Sequence, residues 1–155
     1  EPAFEVLSQK GNCQIPASDP ATWPVTLETG GDGQMQIRLS HAGELRLRED
    51  SRVVWLGLKE FRVEQGLVGF RVASNTTSAT RILFPQGEIR RASGILVIKA
   101  HPLLTRIGCV KGVQQVFGSG PTERTLLPKK EVAAARAEIS KEYLITDDLY
   151  FSWYW

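Results

Sequence analysis

Residues 34–47 are QMQIRLSHAGELRL, a stretch in which apolar and polar side chains alternate. Met35, Ile37 and Leu39 occupy every second position, and Leu45 and Leu47 resume the same alternation after the small polar connection at residues 40–43. Successive side chains of a strand point to opposite faces, so a period of two indicates a strand with one face buried. Two such strands joined by a short connection that contains glycine predict a β-hairpin.

The same alternation extends outward from this hairpin, from Val25 to Phe117. Glycine, proline and polar clusters interrupt it at intervals typical of turns, including a predicted turn at Gln65-Gly66 that would separate two strands. About ten short strands with turns between them are typical of an antiparallel sandwich or a partial barrel. The further predicted strands are Val25–Leu27, Val53–Leu56, Phe61–Val63, Leu67–Val72, Arg81–Phe84, Glu88–Arg90, Ile95–Ile98, Thr105–Val110 and Val113–Phe117.

Two flanking segments lack this pattern. Residues 1–24 contain four prolines, which disfavour both a long helix and a central strand, so we expect an irregular lead-in. The β domain is predicted to span residues 25–120. In residues 121–155 the segment from Lys129 to about Leu144 is rich in Ala, Glu, Lys and Arg, which predicts one C-terminal helix. We expect this helix and the aromatic tail after it to pack on the same domain.

The composition gives little sign of chemistry. The length of 155 residues suits one domain, and the net charge of +2 is too small to indicate a nucleic-acid or membrane partner by itself. His41 and His101 fall in predicted turns, and Asp147-Asp148 has the form of a solvated acidic turn. No serine or cysteine has a nucleophile motif around it. We therefore expect a protein that is not an enzyme, with no catalytic residue, metal site or cofactor.

The chain has two cysteines, Cys13 and Cys109. Their wide separation does not fit a metal-binding motif. A disulfide would tie the lead-in to a late strand and would favour an oxidising compartment. Two buried free thiols are the alternative, because cysteine is among the most frequently buried residue types.

Two groups of surface residues are candidates for recognition. Arginines recur at outward positions of the predicted strands, where they could bind an anionic partner or form a solvated face balanced by glutamates. This candidate face comprises Arg38, Arg46, Arg48, Arg62, Arg71, Arg90 and Arg91. The aromatic C-terminus could contact another subunit or a sugar, although packing back on the same domain is favoured. Its candidate contact residues are Tyr150, Phe151, Trp153, Tyr154 and Trp155.

Several short segments resemble the globular domain of minor pseudopilins and type IV minor pilins of the GspH/FimT type. Arg81–Gly87, RILFPQG, is similar to a strand-turn signal of that family, and Ala92–Ile98 is similar to the turn and strand that follow it. Thr105–Val113 resembles the closing hairpin, and Val25–Leu27 with Asp32-Gly33 resembles the first β segment. The family begins with a long apolar helix, and nothing before Val25 can form one.

The resemblance implies a non-enzymatic assembly subunit of a type II secretion or type IV pilus-like system. Its partners would be other protein subunits of a filament or secretion complex, and it would contact the membrane only through the missing N-terminal helix. Its location would be periplasmic or extracellular, anchored to the inner membrane before assembly. The alternative is a secreted β-domain binding module, in which the arginine face binds an anionic polymer (DNA or acidic polysaccharide) or the aromatic tail binds sugar.

Overall fold

A computed structural model describes residues 4–14, 23–39, 42–73, 79–136 and 138–154. These ranges form sixteen strands and one short helix, which confirms the predicted mainly β class. The strands are β1 Phe4–Lys10, β2 Cys13–Gln14, β3 Val25–Thr29, β4 Gln34–Leu39, β5 Gly43–Leu47, β6 Arg52–Gly57, β7 Glu60–Val72, β8 Thr80–Phe84, β9 Gly87–Ala92, β10 Ile95–Ala100, β11 Thr105–Lys111, β12 Gln114–Gly118, β13 Glu123–Leu126, β14 Lys130–Ala135, β15 Glu138–Ile139 and β16 Tyr143–Leu144. Helix α1 is Asp147–Phe151, followed by a 3-10 turn at Ser152–Tyr154.

The strands form two sheets that share β7. Sheet A has the order β1-β4-β5-β7-β10-β11-β14, with β15 and β16 both paired to β14. Sheet B has the order β2-β3-β6-β7-β8-β9-β12-β13. The described pairs are antiparallel except β7 with β8, which is parallel. At the far side β12 and β13 lie against β15 and β14 of the other sheet, so the two sheets nearly close into a barrel.

Strand β7 joins the two sheets through a bend at Gly66. Its first half pairs with β6 and β8, and its second half pairs with β5 and β10. Gly66 has a φ of +92°, which side chains other than glycine rarely adopt. The turn predicted at Gln65-Gly66 is therefore wrong, because the chain bends and continues instead of reversing.

The core lies between the two sheets and is built from the alternating apolar positions. Met35, Ile37, Leu45 and Leu47 have no exposed surface, as the hairpin pattern predicts. Aromatic rings fill the centre, with the Trp55 centroid 6.2 Å from Phe61 and the Phe61 centroid 5.6 Å from Phe70. Such ring pairs stabilise a core beyond the area that they bury.

The helix predicted for Lys129–Leu144 is wrong. This segment forms β14, β15 and β16, and the helix of the C-terminus begins only at Asp147. Val132 and Ala134 point into the core, which gives β14 a period of two that its helix-favouring composition conceals. Pairing with β11 decides the conformation, because tertiary contacts override weak intrinsic propensities.

The prediction of an irregular lead-in is wrong for Phe4–Lys10, because these residues form β1, which pairs with β4. The four prolines fall outside β1 and β2, so they do not interrupt the pairing. No helix among the described residues is long and apolar enough to cross a membrane.

The C-terminal segment covers the outer face of sheet A. Ile95, Val97 and Val110 point away from the central core and form a second apolar cluster with Leu149 and Trp153. Two glycines make room for this cover. A Cβ atom on Gly69 would lie 2.6 Å from the Trp153 ring, and one on Gly108 would lie 2.6 Å from Ile145 Cδ1.

Candidate binding groove

An open groove of about 1130 Å³ lies where sheet A meets the bend of β7. One wall is the β5–β6 turn at residues 48–50, and another is the loop at residues 101–104 that follows β10. Leu67 and Lys99 lie between them, and α1 borders the groove through Asp148. The groove therefore combines residues from segments that are far apart in the sequence.

The wall formed by the β5–β6 turn is fixed by buried hydroxyl groups. Thr29 Oγ1 donates to the carbonyl oxygen of Arg48 at 2.5 Å and accepts from the amide of Ser51 at 2.9 Å. The amide of Arg48 donates to the Leu67 carbonyl at 2.9 Å, and Ser51 Oγ accepts from the Leu67 amide at 3.1 Å. Buried and satisfied hydrogen bonds of this kind hold the turn against β7.

The loop at residues 101–104 rests on the buried side chain of Gln86. Gln86 Nε2 donates to the carbonyl oxygens of His101 and Pro102 at 2.8 and 2.9 Å. Leu103 and Leu104 are left exposed on this fixed loop, at 75% and 43%. The role of Gln86 was not predicted from the sequence, because the only local feature there is the turn at Pro85–Gly87, which does not show that the side chain is buried.

An ion-pair network fixes α1 at the edge of the groove. Arg106 Nε donates to Glu131 Oε2 at 2.8 Å, and its terminal nitrogens donate to both oxygens of Asp148 at 3.1 Å. Glu131 is completely buried and also accepts from Tyr143 Oη at 2.6 Å and from the Thr146 amide at 3.1 Å. The network links β11, β14, β16 and α1.

This network shifts several pKa values. Burial alone would raise the pKa of Glu131, but hydrogen bonds from Arg106, Tyr143 and Thr146 hold it below its usual value. Hydrogen bonds from Arg106 and Thr146 strongly lower the pKa of Asp148. Burial and the hydrogen bond to Glu131 raise the pKa of Tyr143 to about 12. The carboxylates therefore stay charged at neutral pH, and the network acts as a structural clamp.

The groove presents charges of both signs in equal number. Arg48, Lys99 and Arg106 line it together with three acidic residues, which are Glu49, Asp50 and Asp148. A hydrogen bond from Gln34 lowers the pKa of Glu49, and the charge of Arg48 adds to this effect. Such a surface suits a partner that also has charges of both signs, rather than a polyanion.

The arginine face predicted to bind an anionic partner is divided and neutralised. Arg38, Arg46 and Arg71 lie on the outer face of sheet A, whereas Arg62 and Arg90 lie on that of sheet B. Six of its seven arginines form ion pairs, Arg38–Glu5 at 3.2 Å, Arg46–Glu44 at 3.6 Å, Arg48–Glu49 at 3.5 Å, Arg62–Glu64 at 3.2 Å, Arg71–Glu44 at 3.7 Å and Arg90–Glu88 at 2.6 Å. The seventh, Arg91, is exposed at the end of β9.

In the aromatic tail, Trp153 packs back on the domain. It is 3% exposed, and the guanidinium carbons of Arg46 and Arg71 lie 4.4 and 5.5 Å from its ring centroid. Tyr150 packs against the same cluster. The side chains of Phe151, Tyr154 and Trp155 lie outside the described residues.

The predicted disulfide is wrong, and Cys13 and Cys109 are free thiols. Cys13 lies on β2 at the edge of sheet B, and Cys109 lies on β11 in sheet A, so their strands are not neighbours. Burial raises the pKa of Cys109, which keeps this thiol protonated. The argument from a disulfide to an oxidising compartment therefore no longer holds.

The other candidates for chemistry remain apart. His101 Nδ1 accepts from the Leu103 amide at 3.1 Å, and Asp148 belongs to the Arg106 network. His41 lies outside the described residues. Within those residues, no group of three or more His, Cys, Asp or Glu side chains could hold a metal ion.

The chain is similar in fold to a candidate anti-sigma factor. Two crystal structures of that protein from Parabacteroides distasonis ATCC 8503 match 83% of the chain with a TM-score of 0.69, at 16% and 15% sequence identity. The chain spans 63% and 64% of the length of these two structures. No family model and no curated protein matches the sequence. At this identity the likeness shows the fold alone.

The inference that the chain is a pseudopilin-type domain, drawn from the resemblance of short segments, is wrong. The segment that suggested it does not end at Phe117, since its sheets continue through β13 to β16. The two solved structures described above, which have a similar fold, are candidate anti-sigma factors and not pilins. The signals behind it, such as Pro85-Gln86-Gly87, are turn motifs that many antiparallel sheets use. The roles as a pilus or secretion subunit and as a polymer- or sugar-binding module are wrong with it.

Proposed function

We propose that the chain is a non-catalytic, protein-binding domain of a regulatory protein of the anti-sigma-factor type. The observation that supports this most is the groove, which has fixed walls and charges of both signs. The fold of the two Parabacteroides distasonis structures is a second support. The groove would receive a segment of a partner protein.

The chemistry of the groove favours a polypeptide over a small metabolite. It is open along the surface, and it places the apolar side chains of Leu67 and Leu104 among charged groups. Protein interfaces combine apolar contacts with a polar rim and use charge complementarity to select the partner. An extended segment with apolar side chains and both acidic and basic ones matches this arrangement.

The experiment is a complementation test in the cell of origin. Deleting the gene should change the transcripts of one set of genes that share a sigma factor, and the wild-type gene should restore them. Lys99→Glu, which reverses a charge inside the groove, should fail to restore them although the protein folds. Lys59→Glu is the matched control, because Lys59 lies on the β6–β7 turn outside the groove.

A photoreactive amino acid at Leu104 identifies the partner in the same cells. It should form a crosslink to one regulatory protein, whereas the same amino acid at Leu58, on the turn beside Lys59, should not. Unchanged transcripts in the deletion strain, or full restoration by Lys99→Glu, would contradict the proposal.

A further inference from the structure

A second surface lies at the opposite end of the sandwich from the groove. The groove is at the end of β10, near Ala100, whereas this surface is formed where β11 ends and β12 and β14 begin. We call it the lysine–leucine patch. It comprises Lys111, Val113, Leu127, Lys129, Lys130 and Leu144.

Strand pairing brings these six residues together. Gln114 pairs with Leu126, so Val113 and Leu127 follow as neighbours at the same end. Lys130 lies between Cys109 of β11 on one side and Leu144 of β16 on the other. The amide of Lys129 donates to the Cys109 carbonyl at 2.7 Å, two residues before Lys111.

The apolar members of the patch are unusually exposed. Val113 is 45% exposed, Leu127 is 47% exposed and Leu144 is 72% exposed. They lie on turns and on a two-residue strand, so they can project from the end of the molecule. Lys111 and Lys129 are exposed beside them. Glu142 also lies at this surface, where its carboxylate accepts from the Leu127 amide at 3.1 Å.

We propose that the lysine–leucine patch docks the domain on an anionic phospholipid membrane. Aliphatic side chains that enter the boundary between headgroups and acyl chains, together with lysines near anionic headgroups, are the two contributions that hold peripheral proteins on membranes. Both are present here on one surface, and their charge is complementary to an anionic leaflet.

The composition of the patch favours a membrane over a protein partner. Protein interfaces are enriched in aromatic residues and arginine and depleted in lysine. The patch has the reverse composition, with three lysines, two leucines and one valine. Lipid headgroups need only a basic surface, and acyl chains need only aliphatic side chains.

The test measures sedimentation of the folded chain with vesicles. One set is phosphatidylcholine alone, and in the other about a third of the lipid is phosphatidylserine. We expect binding to the second set only, and release as NaCl screens the charges. Equal binding to both sets, or no binding at low salt, would overturn the proposal.

Two variants assign the binding to the patch. Each lysine near an anionic surface contributes about a fivefold gain in affinity, so Lys111→Glu/Lys129→Glu should bind at least about 25-fold more weakly. Leu127→Ser/Leu144→Ser should weaken the binding that persists at higher salt. Lys59→Glu/Lys99→Glu has the same net charge and should bind several-fold better than the patch variant.

Circular dichroism and melting temperature confirm that each variant is folded before it is compared. If Lys111→Glu/Lys129→Glu and the charge-matched control Lys59→Glu/Lys99→Glu lost the same vesicle affinity, the proposal would be overturned, since binding would then depend on net charge alone. A last experiment measures binding of the chain to a synthetic amphipathic peptide with acidic residues. Binding to this peptide without binding to vesicles would assign the patch to a protein partner and would also overturn the proposal.

Discussion

At the scale of single residues, Glu131 is a buried carboxylate held by several hydrogen-bond donors. It has no exposed surface, and Arg106, Tyr143 and Thr146 all donate to it. Removing one partner of a buried ion pair costs about 3–5 kcal/mol, because the other charge is left without compensation. If Glu131 lost its charge, Arg106 would still be paired with Asp148, and its side chain is partly exposed to water. The loss of stability should therefore lie at or below the low end of this range.

Glu131→Gln should therefore destabilise the protein by about 2 kcal/mol in urea unfolding.

The folded-state pKa values of Glu131 and Asp148 are both lowered, so the unfolded chain binds more protons in acid than the folded chain does. Their contribution to stability is complete above about pH 5 and is lost as the pH falls through the unfolded and then the folded pKa values. The wild type should lose more stability than Glu131→Gln between neutral pH and pH 3. Glu123→Gln, at an exposed position of β13, is the control and should lose as much stability in acid as the wild type. Equal acid sensitivity of Glu131→Gln and the wild type would argue against the clamp.

Gly69 tests how closely the C-terminal segment packs. A Cβ atom there would lie 2.6 Å from the Trp153 ring, so Gly69→Ala must displace the tryptophan. Overpacking of this kind costs about 1–3 kcal/mol. We expect a red-shifted tryptophan emission and faster proteolysis near the C-terminus. Gly57→Ala is the matched control, because nothing lies within 4 Å of its Cβ position, and its properties should be unchanged.

At the scale of elements, the short C-terminal helix covers an apolar face that no strand covers. Leu149 and Trp153 are buried against Ile95, Val97 and Val110, and the Arg106 network holds α1 in place. Burying a large apolar side chain contributes about 1.5–3 kcal/mol, so the cover as a whole should contribute roughly 4 kcal/mol.

Deleting residues 145–155 should thus lower the melting temperature by about 10 °C and leave the β signal of the far-ultraviolet circular dichroism in place. The uncovered face should bind a dye specific for apolar surface. A truncated chain with the same melting temperature and no dye binding would show that the cover contributes nothing.

The elements also show where sequence reasoning succeeds. The hairpin of β4 and β5 was predicted because its signal is local, with Met35, Ile37, Leu45 and Leu47 on one face. Strand β14 was missed because its partners are distant in sequence, and its alanines and charged residues favour a helix when considered alone. Glu131, which lies in this segment, is completely buried, and the sequence carries no local signal for that burial.

At the scale of the whole molecule, neither the groove nor the patch was predictable. The groove combines residues from the β5–β6 turn, the β7 bend, the β10 end and α1, and only the closed sheets bring them together. The neutralisation of the arginine face depends only in part on long-range pairing. Arg62 and Arg90 form ion pairs with glutamates two residues away on their own strands, whereas Arg71 of β7 pairs with Glu44 of the neighbouring strand β5.

The two sheets share β7, and this strand bends from one sheet into the other at Gly66. A Cβ atom at this position would lie 2.2 Å from Ser51 Oγ and 2.5 Å from Ser51 Cα, and the φ of +92° is unfavourable for alanine. Steric overlap and backbone strain each cost about 1–3 kcal/mol, so Gly66→Ala should destabilise the protein by about 3 kcal/mol. Because β7 belongs to both sheets, the loss should appear in one cooperative urea transition. Gly31→Ala is the control, since its nearest neighbour would be 3.8 Å away, at Asp50 Oδ1. If Gly66→Ala unfolded in two separate transitions, the sheets would be independent, and the bend would not be the element that makes them one structure.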